Sequence, residues 1–509
     1  MMIRFLVAAL LVSSALLNAQ QKVTADSLRA IYKDQLSQHM VPMLSEAVRF
    51  QTVKGNVEAR QQQQAWLRKT GENLGFTVRD AGLVTEIELP GPAGAPVLGL
   101  MVHGDLQPAD PKEWTYPPFE ATVKDGVIYG RGTADDKGPL VQALLAMKAL
   151  QISGVSRTHT ILLLVGSDEE SDNQDVAEYL KSHKAPDLTL VLDSAFPVVV
   201  GEKAWAEFSQ TADDPYRVRS AANAPFALTK LTAGLATSIV PSRADATLRW
   251  ISDSQDGLTQ AVADLSRTKT GDGFRYNVER TGNEVQITVY GRAAHSGMNL
   301  EGGRNALVFL ANMLNGKLAK SGAADLLAFA RLAGSDLHGK ALGIAQSDPI
   351  WGGEDVNVAT IKATEDGKLK QAINVRHIPP MTVADLRAKL EKKLADFNAS
   401  TGASLEADGW YDDTVLSFDM NSKLVKRLMA DYQRATGERI KPAVSGGGTY
   451  AKRLPNSIAF GMWFPGKPYP GHDVDERVPT ADLHRGVSVL LEALLDLSTG
   501  PKMDKPLEP

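Results

Sequence analysis

Pro96-Val97-Leu98-Gly99-Leu100-Met101-Val102 is apolar throughout and runs straight into His103-Gly104-Asp105. An unbroken run of this kind suits a strand covered on both faces, as in a mainly parallel sheet. The pattern recurs at Thr160-Ile161-Leu162-Leu163-Leu164-Val165 and at Leu188-Thr189-Leu190-Val191-Leu192. It returns late in the chain, at Ile458-Ala459-Phe460-Gly461-Met462-Trp463-Phe464. Helical patterns near 139–152 and 173–183 separate the first three runs, and strand alternating with helix marks a wound α/β domain. Pro139, directly after Gly138, fits a first helical turn. Further helices are expected at 24–50 and 60–74, and at 382–397, 422–436 and 479–498.

From about Trp205 the texture changes. Glu284-Val285-Gln286-Ile287-Thr288-Val289-Tyr290 alternates, as a strand with one solvated face does, and a helix near 303–315 follows. At 509 residues the chain exceeds what one hydrophobic core usually supports. The simplest architecture is a two-domain α/β protein. A three-layer α/β/α catalytic domain occupies 20–205 and 379–500, an α+β lid domain (206–378) is inserted between the pieces, and 501–509 is a flexible tail.

Apolar residues make up 43% and charged residues 23%, a globular balance. Lys and Arg total 55 against 60 Asp and Glu, so no nucleic-acid partner is expected. Cysteine is absent. That excludes disulfides, cysteine nucleophiles and thiolate metal sites, and leaves any metal to His, Asp and Glu. Met1 to Arg4 is short and positive, Phe5 to Leu17 is apolar, and Asn18-Ala19 is small. These features read as a signal peptide (1–19) cleaved near Ala19, giving an exported protein, periplasmic or secreted. No later stretch approaches ~20 uninterrupted apolar residues, so no stable membrane anchor is expected.

The apolar runs lead into polar clusters: His103-Gly104-Asp105, Asp168-Glu169-Glu170, Asp193, and Gly471-His472-Asp473. Ligands of open α/β sheets bind at the carboxyl edge of the strands, where such clusters converge. A fifth cluster, Gly130-Arg131-Gly132-Thr133-Ala134-Asp135-Asp136-Lys137-Gly138, precedes a helix. Its glycines do not make a phosphate loop, because Lys137 precedes Gly138 and Pro139 rather than following a Gly ahead of Ser or Thr. Taken singly, each cluster has a dull reading: a satisfied buried histidine, acids at a helix start, a turn. Jointly, two imidazoles and several carboxylates without sulfur suit Zn²⁺ or Mn²⁺. Five ligand positions make two metal sites if one carboxylate bridges, and a separate carboxylate must then take a proton from water. Adjacent Glu169 and Glu170 can divide those two tasks.

These segments resemble the co-catalytic zinc exopeptidases and deacylases that include aminoacylase, carnosinase and succinyl-diaminopimelate desuccinylase. The dipeptidase V-like branch is the most similar. Carrying the resemblance are the clusters above together with Trp114-Thr115-Tyr116-Pro117-Pro118-Phe119, Asp193-Ser194-Ala195-Phe196-Pro197, Gly201-Glu202-Lys203 and Gly446-Gly447-Gly448-Thr449-Tyr450. The resemblance implies two divalent metal ions, Zn²⁺ first, with Mn²⁺ or Co²⁺ as alternatives. His103, Asp135 and Asp193 would hold one, and Asp135, Glu170 and His472 the other. It makes Glu169 the general base, Asp105 the clamp on the ligand imidazole, and the Asp135–Asp136 peptide cis. Gly291-Arg292-Ala293-Ala294-His295-Ser296-Gly297 is similar to the family's lid histidine motif, with His295 stabilising an oxyanion. Asn374-Val375-Arg376 is similar to the segment whose Arg grips the substrate carboxylate, and Gly447 and Thr449 would add contacts there. Ser238 stands where the family often has Asn, Asp473 is unlike many relatives, and 320–365 matches loosely.

The implied activity is hydrolysis of dipeptides or short peptides by an exported, metal-dependent dipeptidase. The nearest rival is an N-acyl-amino-acid deacylase acting on small N-acylated amino acids at the same site. A silent binding protein and a two-metal phosphoesterase are more distant alternatives. A long lid resembles the fused pair of the dipeptidase V-like branch, so a monomer is expected.

Overall fold

The computed structural model describes residues 23–221, 224–271, 273–503 and 507. The expected signal peptide and its cleavage point near Ala19 lie outside the described residues, as does most of 504–509. Among the described residues, no helix is long and apolar enough to cross a membrane.

The apolar runs form the centre of a six-stranded sheet. Its spatial order is Thr77–Ala81, Val84–Leu89, Thr160–Gly166, Val97–His103, Leu188–Val191 and Ser457–Ala459. The last four strands are mutually parallel and the first two are antiparallel additions. Both faces are covered, which explains the unbroken apolar pattern. Leu98, Leu100, Val102, Leu163 and Val165 join one core with helices Lys137–Ile152 and Thr480–Thr499, while Met101, Leu162 and Leu164 join a smaller one on the opposite face. Gly99 interrupts the run because a Cβ there would lie 2.8 Å from the Pro186 ring.

The second sheet has eight strands, all antiparallel. Their order is Arg275–Thr281, Glu284–Tyr290, Arg243–Trp250, Phe226–Ala233, Asp355–Ala363, Leu369–His377, Ala204–Ala212 and Glu406–Asp412. It has its own core, in which helices Ala306–Met313 and Gly322–Ala333 take part. The expected return to the first domain at residue 379 comes later. Leu386, Leu390, Leu394 and Phe397 of helix Val383–Thr401 are buried in the second core, and Glu406–Asp412 extends its sheet. The helix periodicity was readable; which core its apolar stripe covers was not.

Two other expectations need correction. Ile458–Phe464 is not one strand: Ser457–Ala459 pairs with the first sheet and Met462–Trp463 pairs with Ser194–Ala195. Between them Gly461 adopts φ +74° and lies against the Phe196 ring. The 24–50 helix is broken into Ala25–Ile31 and Met40–Val48 by a wide turn and a tight one. Pro42, which lacks an N–H, is accepted only near the start of the second piece.

Leu163 is fully buried at the middle of the first sheet. Leu163→Ala should destabilise that domain by about 2–5 kcal/mol, measured as a lowered first transition in calorimetry. An unchanged transition would contradict the burial of Leu163.

Candidate active site

The parallel strands deliver their polar ends to one edge. His103 ends its own strand, Glu169 and Glu170 follow Gly166, and Asp193 follows Val191 by two residues. At the centre lies Asp135. Its Oδ1 is 2.9 Å from His103 Nε2 and its Oδ2 is 3.2 Å from His472 Nε2. His103 Nε2 is also 3.8 Å from Asp193 Oδ2, and His472 Nε2 is 3.0 Å from Glu170 Oε1. The structure thus brings all five candidate ligands together, with Asp135 shared between the two histidines. Glu169 joins them: its donor atom and those of His103 and Asp193 lie within 4.8 Å of one another, as do those of His103, Asp135 and Glu170.

This donor set fits divalent cations. Two imidazole nitrogens face one carboxylate, further carboxylates surround them, and no sulfur is present. Burial, with neighbouring acids adding to it, holds Asp136, Glu169 and Asp193 well above the usual carboxylate range. Asp135 departs the other way: burial opposes its ionisation, but His103 and His472 overcome it and hold the group well below that range. Against burial, its acidic neighbours push His472 up to about 10. Crowded buried acids and proton-hungry imidazoles are relieved by the charge of a bound metal ion, which competes with protons for the same atoms.

A set of buried acids shapes the loops that carry these groups. Asp105 accepts from the main-chain N–H of Glu169 at 3.2 Å and of Glu170 at 2.9 Å. Its carbonyl oxygen is 3.1 Å from His103 Nδ1, nearer than its carboxylate at 3.5 Å. Asp105 therefore braces the Glu pair as much as the imidazole. The Asp135–Asp136 peptide is cis, and Asp136 Oδ2 accepts from His103 N at 3.1 Å. Glu476 was not singled out by the sequence. One of its oxygens accepts from Gly132, Ala134 and Asp135 N–H at 3.0, 2.9 and 3.1 Å, and the other from Arg131 at 2.8 Å. Asp175, also missed, accepts from Ser167 and Asp168 N–H and from the Tyr450 hydroxyl. The only available signal for Glu476 was its position four residues after His472.

The second sheet faces the same place. His295 Nδ1 accepts from Gly297 and Met298 N–H, both at 3.0 Å, so the ring proton resides on Nε2. Burial first, then the charges of His472 and Arg376, hold its pKa well below the ordinary value. The ring stacks on His472 with centroids 4.4 Å apart. Arg376 is 3% exposed, its guanidinium lies over the Trp205 ring at 5.1 Å, and its Nε donates to Asn374 at 3.2 Å. Burial lowers it to about 10, so it stays cationic at neutral pH. Among the described residues, no carboxylate lies within ion-pair distance of it.

The glycine loop departs from expectation. Gly447 N–H donates to Ser445 Oγ at 3.0 Å. Thr449 donates its N–H to Glu202 at 3.1 Å and its hydroxyl to the same carboxylate at 2.8 Å. Both residues therefore spend on internal partners the donors expected to face a substrate. Gly446 packs backbone to backbone on Gly297, where a Cβ on either would collide with the other's carbonyl oxygen. A cavity of about 880 Å³ is lined by Glu169, Glu170, His295, Arg376, Gly448 and His472 among others, with Ser238 also on its wall. An inner pocket of about 30 Å³ reaches Asp135 and Asp193. The space suits a small ligand.

A family model described as Peptidase family M20/M25/M40 matches residues 99–496. A Bacillus subtilis (strain 168) protein named "Putative dipeptidase YtjP" is 28% identical over 434 residues, covering 85% of this chain and 89% of that protein. In fold, human carnosine dipeptidase 1 is similar with a TM-score of 0.59 at 13% identity, over 93% of this chain and 98% of that one. The dipeptidase Dug1p of Saccharomyces cerevisiae is similar with a TM-score of 0.56 at 12% identity, over 92% and 98%.

A histidine free of its surroundings titrates near pH 6.5. The His295 ring should remain neutral from pH 8 down through pH 6, followed by NMR of ¹⁵N-histidine-labelled protein with a His295→Asn variant to assign the signal. The unfolded chain binds this proton first, so the depressed pKa costs stability as pH falls through about 6.5. A His295 signal titrating above pH 6.5 would refute the neutral donor.

Proposed function

Because the chain belongs to peptidase family M20/M25/M40, a family of metal-dependent peptidases, we propose that it is a dipeptidase cleaving short peptides that carry a free carboxylate. The observation that carries this reading is the convergence, around one cavity, of Glu169, the Nε2–H of His295 and the guanidinium of Arg376 beside the Asp135-centred donor set. The dipeptidase names of its relatives agree with it.

His103, Asp135 and Asp193 would hold one divalent ion, Zn²⁺ first among candidates, and Asp135, Glu170 and His472 the second. Bound there, such ions supply Lewis acidity to water and to the peptide carbonyl. Glu169 takes the proton of the attacking water, and Asp105 holds its main chain in place for that transfer. Burial and neighbouring acids raise the Glu169 carboxyl, and the charge of ions held by His103, Asp135, Asp193, Glu170 and His472 would oppose that rise and leave it able to accept a proton. His295 donates from Nε2 to the oxygen that gains charge as the carbonyl carbon becomes tetrahedral. Its neutrality matters here, because the two backbone N–H groups on Nδ1 fix which nitrogen holds the hydrogen. Arg376 pairs with the substrate's carboxylate and sets its register. Glu169 then returns the proton to the leaving amine.

Glu169→Gln should keep its full metal content by elemental analysis while kcat on a dipeptide falls about 10²–10⁴-fold. Activity within tenfold of the parent would refute Glu169 as base. In the same assay, turnover of N-acetyl-amino acids in preference to dipeptides would favour a deacylase. Export belongs to the proposal and rests on the leader pattern of residues 1–19. Protein recovered from the periplasm or medium should begin near Gln20 by N-terminal sequencing, and an intact Met1 on a cytoplasmic product would contradict it.

A further inference from the structure

Glu202 is a buried acid that the mechanism above does not use. It is 1% exposed, and no carboxylate is cheap to bury without a role. It ends strand Val199–Glu202, which pairs in parallel with Ala443–Ser445, placing Glu202 opposite Ser445. The next residue, Lys203, donates its N–H to Ser445 O at 2.9 Å. The carboxylate is thereby set beneath the Gly446–Thr449 loop, with one oxygen on Thr449 N and the other on Thr449 Oγ1. It has no ion pair. Lys452, the nearby cation, is paired with Asp413 at 3.3 Å and donates to Lys203 O at 2.6 Å. Burial pushes Glu202 up to about 7, with Lys452 and Thr449 opposing and Asp413 adding to the rise.

The loop it holds has three glycines in succession, Gly446, Gly447 and Gly448. Such a segment has no side chains with which to fix its own conformation, and glycine backbone is the most permissive. Its shape must come from anchors at its ends. One anchor is Ser445, whose Oγ accepts from Gly447 N–H. The other is Glu202 on Thr449. Between them, Gly448 lines the cavity that Arg376 also lines, and among the described residues its N–H has no acceptor.

We propose that Glu202 is a positioning residue for recognition of the substrate's free carboxylate: it holds Thr449 inward and so leaves the Gly448 N–H as the loop's donor beside Arg376. This rests on the reading that Arg376 binds that carboxylate. Glu202 acts through Thr449 and touches neither the substrate nor the metal-ligand set.

The test compares Ala-Ala with its C-terminal amide as substrates. In Glu202→Ala, KM for Ala-Ala should rise about tenfold, the loss of one to two hydrogen bonds, with kcat nearly unchanged. KM for the amide should not move, which a general structural defect would not achieve. Glu202→Gln should restore KM for Ala-Ala, because its amide oxygen still accepts from Thr449 N while its NH₂ donates to Thr449 Oγ1. If Glu202→Ala does not fold, Glu202→Asp, one methylene short of its partner, is read in the same way. A KM ratio between acid and amide that stays at the parent value in Glu202→Ala or Glu202→Asp would overturn the proposal and leave Arg376 standing. A parent enzyme that does not distinguish acid from amide would overturn the carboxylate reading itself, and this proposal with it.

Discussion

Asp135 faces His103 with one oxygen and His472 with the other, and that pairing concentrates negative charge where water is scarce. Asp105, Asp136, Glu169, Glu170 and Asp193 all gather around it, and among the described residues only the two imidazoles face its carboxylate; Arg131 pairs with Glu476 instead. Buried carboxylates without matching cations either take up protons or await positive charge. The raised Asp136, Glu169 and Asp193 show how the chain alone resolves that conflict. Divalent ions resolve it differently, by letting the same groups ionise together.

Holding such a cluster requires backbone that does not relax. The parallel sheet provides the coarse placement, because four strand ends open on one edge. Finer placement comes from acids used as acceptors for main-chain N–H groups. Glu476 gathers the N–H groups of Gly132, Ala134 and Asp135 in the loop that carries the Asp135 carboxylate, Asp105 braces Glu169 and Glu170, and Asp175 braces the residues before them. Each is itself a buried charge, so the site is supported by further carboxylates rather than by apolar packing. Arg131 offsets Glu476 directly. His472 adds its own local constraint, lying at φ +65°, where few residues with a Cβ are found.

This division explains what could be read from the chain. Apolar runs ending in His103, in Glu169-Glu170 and before Asp193 combine a strand signal with chemistry, and each half strengthens the other. The cis peptide and the lid histidine were accessible only through resemblance, since nothing in the residue types at 135–136 or 295 dictates them. Asp175 carried no signal, Glu476 only its nearness to His472 and Glu202 only its place in the Gly201-Glu202-Lys203 segment, because an acid bracing backbone looks like any surface acid until its partners are known. The same limit hid the partners of Gly447 and Thr449, which line the inner pocket as a binding loop should but whose donors point to Ser445 and Glu202. It also misplaced the domain boundary at 378. Helix Val383–Thr401 has a legible apolar stripe, but two cores could have covered it, and the sheet that gains Glu406–Asp412 decides between them.

The two domains thus divide the chemistry by kind of charge. The parallel sheet contributes nearly all the anionic groups, whereas the antiparallel sheet contributes a neutral imidazole donor and a buried guanidinium. In the proposed mechanism a ground-state peptide would offer its carboxylate to Arg376, while only the tetrahedral species would offer a full oxyanion to His295, so the lid would separate binding from transition-state stabilisation. That separation requires loops of the two domains to approach to backbone contact. Gly297, two residues after His295, and Gly446, two before Gly448, meet without side chains between them. Any larger residue at either position would hold His295 away from Asp135 and the Gly448 loop away from Arg376 at once. The glycine pair is therefore the steric condition under which one domain's acids and the other's donors share one cavity, as the proposed mechanism requires.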